Sequence, residues 1–208
     1  MSERNVAAAL LLATNFAACA HAHQKRKASG LPYIVHPIGV AHILASTAKI
    51  DDTVVLQAAL LHDVVEDTKK TLDEIRFLFG PAVAGIVAEV TDDKSLPKSQ
   101  RKRAQVAHAA QMSHGARLVK LADKLYNLRD LALQPPPDWP LSRIRGYFVW
   151  CRAVVDKMRG TNAALENQLD QCFAGSIEFG DDTVPLIPSE PSAAEQLAAY
   201  YAEMNECE

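Results

Sequence analysis

Aromatic residues make up only 6% of the 208-residue chain. Alanine and leucine dominate instead, a composition that disfavours a β-sandwich and favours helices. No apolar run reaches the roughly 18 residues that a membrane-spanning helix needs. The four cysteines, Cys19, Cys151, Cys172 and Cys207, have no paired Cys-x-x-Cys spacing. They read as reduced thiols, not as a disulfide frame or a zinc knuckle, and favour a cytoplasmic protein. The start resembles a signal peptide in its short apolar stretch and Ala-Cys-Ala ending. However, Glu3 stands beside Arg4, and Ala9, Leu12, Phe16 and Cys19 form a helical stripe across the supposed cleavage point. A retained first helix is the better reading. No internal repeat and no convincing strand pattern is present.

From Ala174 to Glu208 there is no Lys or Arg, against eight acidic residues. Residues 1–173 therefore hold all 22 basic residues and 17 of the 25 acidic ones, a net of +5. A mildly basic body suits a small anionic substrate. The charge is too weak and scattered for a nucleic acid polymer. With 49% hydrophobic residues the chain can build a core, and the shift in charge divides it into a body, 1–173, and an acidic extension, 174–208.

The segments read almost throughout as helices. The first runs from about Asn5 to Gln24 and stops at the basic run Lys25-Arg26-Lys27 before Ser29-Gly30. The second begins near Pro37. A third, capped by Asp51 or Asp52, continues to about Asp67. Thr71 to Glu74 is a capping box whose helix stops at Gly80-Pro81, with another following to about Thr91. Further helices cover about 98–111, 116–133, 142–159 and 163–173. Residues 174–188 read as irregular. Ser192 to Glu195 is a second capping box, opening a helix with Leu197, Tyr200, Tyr201 and Met204 on one stripe. That stripe can dock on the body or on a neighbouring subunit, so a homo-oligomer is compatible with it.

Two helices and one loop carry the chemistry. In Leu60-Leu-His-Asp-Val-Val-Glu-Asp67, His62, Asp63, Glu66 and Asp67 fall at about 0°, 100°, 40° and 140° around a helix. Three carboxylates on one side repel one another, and burial raises that cost. A divalent cation removes it. In the second helix, Asp123 and Asn127 point one way while Leu118, Leu121, Leu125 and Leu128 form the opposite, apolar half. His36 precedes Pro37 at a helix entry, where proline stiffens the backbone. Each feature alone is commonplace; together they describe a metal centre. The set His36, His62, Asp63 and Asp123 offers two imidazoles and two carboxylates. Mixed nitrogen and oxygen ligation suits Mn²⁺ or Fe²⁺, with Zn²⁺ or Co²⁺ as alternatives. Such an ion would activate water and neutralise phosphate charge. Glu66 and Asp67, one turn on, are placed to orient that water or exchange its proton. Arg143 and Tyr147, one turn apart on a later helix, are candidates for lining the pocket.

The motifs Pro-Tyr-Ile-Val-His-Pro, Ala-Ala-Leu-Leu-His-Asp-Val-Val-Glu-Asp-Thr, Glu-Val-Thr-Asp-Asp-Lys and Val-Lys-Leu-Ala-Asp-Lys-Leu-Tyr-Asn-Leu-Arg-Asp resemble the HD-domain metal phosphohydrolases. More closely, they are similar to the hydrolase domain of the Rel/Spo family, above all its stand-alone small alarmone hydrolases. The resemblance covers roughly residues 5–173. It implies an all-α HD-domain helical bundle of about ten helices. The implied activity is Mn²⁺-dependent removal of pyrophosphate from the 3′ position of ppGpp or pppGpp, leaving GDP or GTP. On the family pattern, His36, His62, Asp63 and Asp123 fall on metal ligands and Glu66 and Asp67 on the catalytic acidic pair. Arg26 and Lys27 fall on a basic pair near guanine and phosphates, and Tyr126 and Asn127 on the helix bordering the nucleoside. An HD phosphatase acting on NADPH or another nucleotide is the nearest alternative. A non-catalytic alarmone-binding module is an alternative of another class, which the intact Glu66-Asp67 pair disfavours.

Overall fold

The structure, a computed structural model, describes residues 3–206, with side chains from 6 to 204. Cys207 and the side chains of Glu3 and Arg4 lie outside the described residues. Among those described, ten α-helices, one 3-10 turn and one small hairpin follow in order: α1 (Glu3–Ala20), α2 (Val35–Ser46), α3 (Thr53–Leu61), α4 (Val64–Asp67), α5 (Leu72–Val90), α6 (Lys98–His108), α7 (His114–Leu133), α8 (Leu141–Asp156), α9 (Ala163–Phe173), β1 (Ser176–Phe179), β2 (Asp182–Pro185) and α10 (Ala193–Glu206). The 3-10 turn spans Ala109–Gln111. The expected all-α architecture of about ten helices is what the chain adopts. No described helix is long and apolar enough to cross a membrane.

The chain divides into two compact units: Met1–Thr91 with Met112–Tyr126, and Asp92–Gln111 with Asn127–Glu208. In the first unit α3 is the central element, with α1, α2 and α5 against it. It is buried nearly throughout, and Asp52 caps it by accepting from the Val54 amide. The Thr71–Glu74 capping box opens α5, and Gly80 (φ 88°) kinks that helix where the Gly-Pro pair foretold a stop.

The stripe expected on α1 is corrected. Ala13 and Ala17 are its fully buried positions, whereas Leu12 is 51% exposed and Cys19 is exposed. Small side chains allow α1 to lie close to α3, where Gln57 Nε2 donates to the Ala9 carbonyl. The long third helix is also corrected. It breaks at His62-Asp63 into α3 and α4, with Asp63 at ψ −6°. The His62 ring bonds back to the Ala59 carbonyl, a side-chain intrusion of the kind that bends helices.

In the second unit α8 is the core helix, with Ile144, Phe148, Trp150 and Val154 buried and α6, α9 and α10 around it. Trp150 Nε1 donates to the Lys102 carbonyl at 3.0 Å. Residues expected to be irregular form the β1–β2 antiparallel hairpin, with Phe179 opposite Asp182 and Gly180 in the turn at φ 66°. Four-residue strands are too short to leave an alternation legible in sequence. The second capping box is formed: the Ser192 amide donates to Glu195 Oε2, and the Glu195 amide to Ser192 Oγ.

Candidate metal centre

Four side chains from three places in the first unit converge. His36 comes from the first turn of α2, His62 and Asp63 from the α3–α4 break, and Asp123 from α7. His36 Nε2 lies 3.4 Å from Asp63 Oδ2 and 3.3 Å from Asp123 Oδ1. His62 Nε2 lies 3.2 Å and 3.7 Å from the same two oxygens. His36, His62 and Asp123 are buried, and each presents one ligand atom within 4.8 Å of the others, a grouping that can hold a metal ion.

The donor chemistry fits a cation. A carbonyl can only accept, so His62 Nδ1 must carry the proton in its 2.8 Å contact with the Ala59 oxygen. In the neutral ring, Nε2 then holds the lone pair aimed at the cluster, the orientation that a metal-ligating histidine takes from its outer partner. Nε2 is buried yet makes no aligned hydrogen bond, although two carboxylates stand around it.

The electrostatics describe the same centre without a cation. Burial alone would lower the pKa of His62. The Asp63 charge and the contacts to Asp123 and Asp63 outweigh it and raise the pKa to about 10. Burial opposes charge on Asp63 too, but His62 and His36 hold its carboxyl well below the usual range. Asp123 is likewise held well below the usual range, against burial, by Lys124 and by both histidines.

Around this centre stand Tyr33 and Gln24, which the sequence reading passed over, and Lys124. Tyr33 Oη donates to Asp63 Oδ2 at 2.6 Å. Burial, with the Asp63 charge, raises the Tyr33 phenol far above its usual range, so it remains a donor. Lys124, almost fully buried, places Nζ 3.4 Å from Asp123 Oδ2. Gln24 Nε2 donates to the Asp67 carbonyl at 2.6 Å, bracing the end of α4. Tyr33 could have been suspected from its place three residues before His36. Gln24 has no sequence signal, because its contact spans 43 residues.

Glu66 and Asp67 lie on α4, partly exposed, one turn from Asp63. Arg26 sits on a loop closed by the Lys25–Pro32 bridge. Its guanidinium lies 5.7 Å from the Tyr33 ring centre and 5.6 Å from that of Tyr126. Lys27 is exposed on the same loop. The Tyr126 ring is 4.8 Å from His36, and Gly39 leaves room for it, since a methyl group there would overlap the ring. The first unit therefore gathers the four expected ligands, the acidic pair, Arg26, Lys27 and Tyr126. Asn127, Arg143 and Tyr147 belong to the second unit. There, Arg143 lies 4.5 Å over the Trp139 ring, and Lys102 Nζ lies 5.2 Å from the Tyr147 ring centre.

Residues 13–143 match the family model described as HD domain. The chain belongs to the HD-domain family. It is 57% identical over 168 residues to the guanosine-3′,5′-bis(diphosphate) 3′-pyrophosphohydrolase MESH1 of Homo sapiens, covering 80% of this chain and 94% of that protein. Its identity to the Danio rerio MESH1 is 56% over 167 residues, covering 80% and 93%. The bifunctional (p)ppGpp synthase/hydrolase SpoT of Escherichia coli is 41% identical over 123 residues, 56% of this HD-domain chain but 17% of SpoT. A solved metazoan ortholog of SpoT, described as hydrolysing ppGpp, superposes with a TM-score of 0.78 at 51% identity, covering 80% of this chain and 94% of that one.

Proposed function

We propose that this chain is a Mn²⁺-dependent hydrolase that removes pyrophosphate from the 3′ position of ppGpp and pppGpp, leaving GDP or GTP. The carrying observation is the convergence of His36, His62, Asp63 and Asp123 in a chain 56–57% identical to pyrophosphohydrolases across nearly their full length.

His36, His62, Asp63 and Asp123 would hold the ion, which when bound lowers the pKa of water and neutralises phosphate charge. Fe²⁺, Zn²⁺ and Co²⁺ are compatible with the same donors. Glu66 and Asp67 orient the attacking water and take its proton as its oxygen bonds to the phosphorus attached to the ribose 3′ oxygen. The bond between that phosphorus and the 3′ oxygen breaks, and the proton taken from the water passes to the 3′ oxygen, which leaves as a hydroxyl. Arg26, held beside the Tyr33 and Tyr126 rings, and Lys27 engage guanine and phosphates. Tyr126 and Asn127 border the nucleoside, and Arg143 and Tyr147 are further candidates for substrate binding. Residues 1–173 form the catalytic domain and 174–208 an extension to it. The free thiols of Cys19, Cys151 and Cys172 suit the cytoplasm.

Incubation of the purified chain with Mn²⁺ and a panel of ppGpp, pppGpp and NADPH tests this reading. GDP and pyrophosphate from ppGpp are expected. A clear preference for NADPH, or bound ppGpp without turnover, overturns it.

A further inference from the structure

About a fifth of this chain lies outside its match to the MESH1 proteins, which are themselves covered almost completely. Within the second unit the acidic extension turns back through the hairpin. It then lays α10 against α8 and α6. Tyr200, Tyr201 and Met204 are each at most 5% exposed, so the stripe read from the sequence is a docked face.

The contact is specific at Gly146. A methyl group there would overlap the Tyr200 ring, so only glycine lets α10 approach α8 this closely. Gly146 lies between Arg143, one turn earlier, and Tyr147. The Arg143 charge acts on the Tyr200 hydroxyl, opposing the upward push of burial. From Tyr200 the aromatic contacts continue to Trp150 at 6.4 Å and on to Tyr147 at 5.3 Å. Tyr147 in turn is 6.1 Å from Trp139, the ring beneath Arg143. Lys102 Nζ is 3.5 Å from the Trp150 ring centre, and the Arg103 guanidinium is 4.0 Å from that of Tyr201. The extension thus ends one side of a continuous stack that includes both α8 residues assigned to substrate.

We propose that Tyr200 is a positioning residue for substrate binding, holding the Gly146 face of α8 so that Arg143 and Tyr147 keep their placement. This rests on the reading of Arg143 and Tyr147 as substrate-binding residues. Glu66 and the ligand set belong to the other unit, and Tyr200 is assigned no part in the chemical step, so its effect is expected on KM and not on kcat.

Steady-state hydrolysis of ppGpp by the full chain, with Mn²⁺, tests this in five variants. Tyr200→Ala and Gly146→Ala, which respectively remove the ring and displace it, should each raise KM about tenfold and leave kcat within about twofold, the pattern of lost uniform binding. Tyr200→Phe keeps the ring and should restore the wild-type KM. Arg143→Ala should raise KM directly. If Arg143→Ala raises KM while the first two do not, or if they lower kcat alone, the role of Tyr200 is overturned. If Arg143→Ala leaves KM unchanged, the substrate reading of α8 fails, and the role of Tyr200 with it. Absence of any ppGpp turnover by the wild-type chain overturns the function itself. Should Tyr200→Ala not fold, Tyr200→Leu takes its place, and a wild-type KM in that variant overturns the role.

Discussion

Tyr33 donates its phenolic proton to Asp63 Oδ2, the same oxygen that stands 3.2 Å from His62 Nε2 and 3.4 Å from His36 Nε2. The phenol therefore fixes the carboxylate around which both imidazoles gather. Its ring is held independently, 4.8 Å from His21 and 5.7 Å from His36. Tyr33→Phe should keep the fold and lose only the hydrogen bond. Metal affinity is expected to fall about 10–100-fold, as for other outer partners of metal ligands. Calorimetric titration of metal-free protein with Mn²⁺ measures this, and an unchanged affinity would remove Tyr33 from the centre.

Metal binding should stabilise the folded chain by mass action. At an ion concentration 100 times Kd the gain is about 2.7 kcal/mol, visible as a rise in melting temperature. His62→Ala and Asp123→Ala each remove a donor and should abolish that rise. A Mn²⁺-dependent shift that persists in both variants places the ion elsewhere.

The metal-free protein should lose stability as pH rises above neutrality. The pKa of His62 is raised from 6.5 to about 10, so the folded state binds its proton more tightly than the unfolded state does. That contribution is complete below about 6.5 and is lost as pH climbs towards 10. Asp63 and Asp123 are shifted downwards, so their contribution is present above the ordinary carboxylate range and lost on acidification. Mn²⁺ must displace the His62 proton, so its affinity should rise with pH up to about 10. Urea midpoints of chelator-treated protein at pH 7 and 9.5 test the first statement. A His62→Gln variant should flatten the difference.

Glu66→Ala should lower turnover of ppGpp by about 10²–10⁴-fold, the usual contribution of a proton-transferring group. Mn²⁺ binding should be spared, because Glu66 is not one of the four residues proposed as ligands. A rate near that of the wild type would assign the water to another base, and Asp67→Asn is the next substitution to measure.

Much of this protein is written locally. The capping boxes at Thr71–Glu74 and Ser192–Glu195, the Asp52 cap and the kink at Gly80 depend on neighbours within a few residues, so spacing alone reveals them. The ligand set was legible for the same reason: His62 and Asp63 are adjacent, and Asp123 shares a helix face that apolar residues leave free. Contacts between distant segments were not legible. That α1 would bury Ala13 and Ala17 and leave Leu12 exposed depended on how closely α3 could approach. The break between α3 and α4 accompanies the bond of the His62 ring to a backbone carbonyl. The sequence by itself determined most of the helices, the acidic charge of the extension and the candidate metal donors, because periodicity, charge and side-chain chemistry are local properties. Only the tertiary structure decided that Tyr33, Gln24 and Lys124 support the site and that Tyr200 rests on Gly146. Each of those last relationships except the Lys124 contact joins residues from separate elements, and Lys124 acquires its role only through burial beside Asp123.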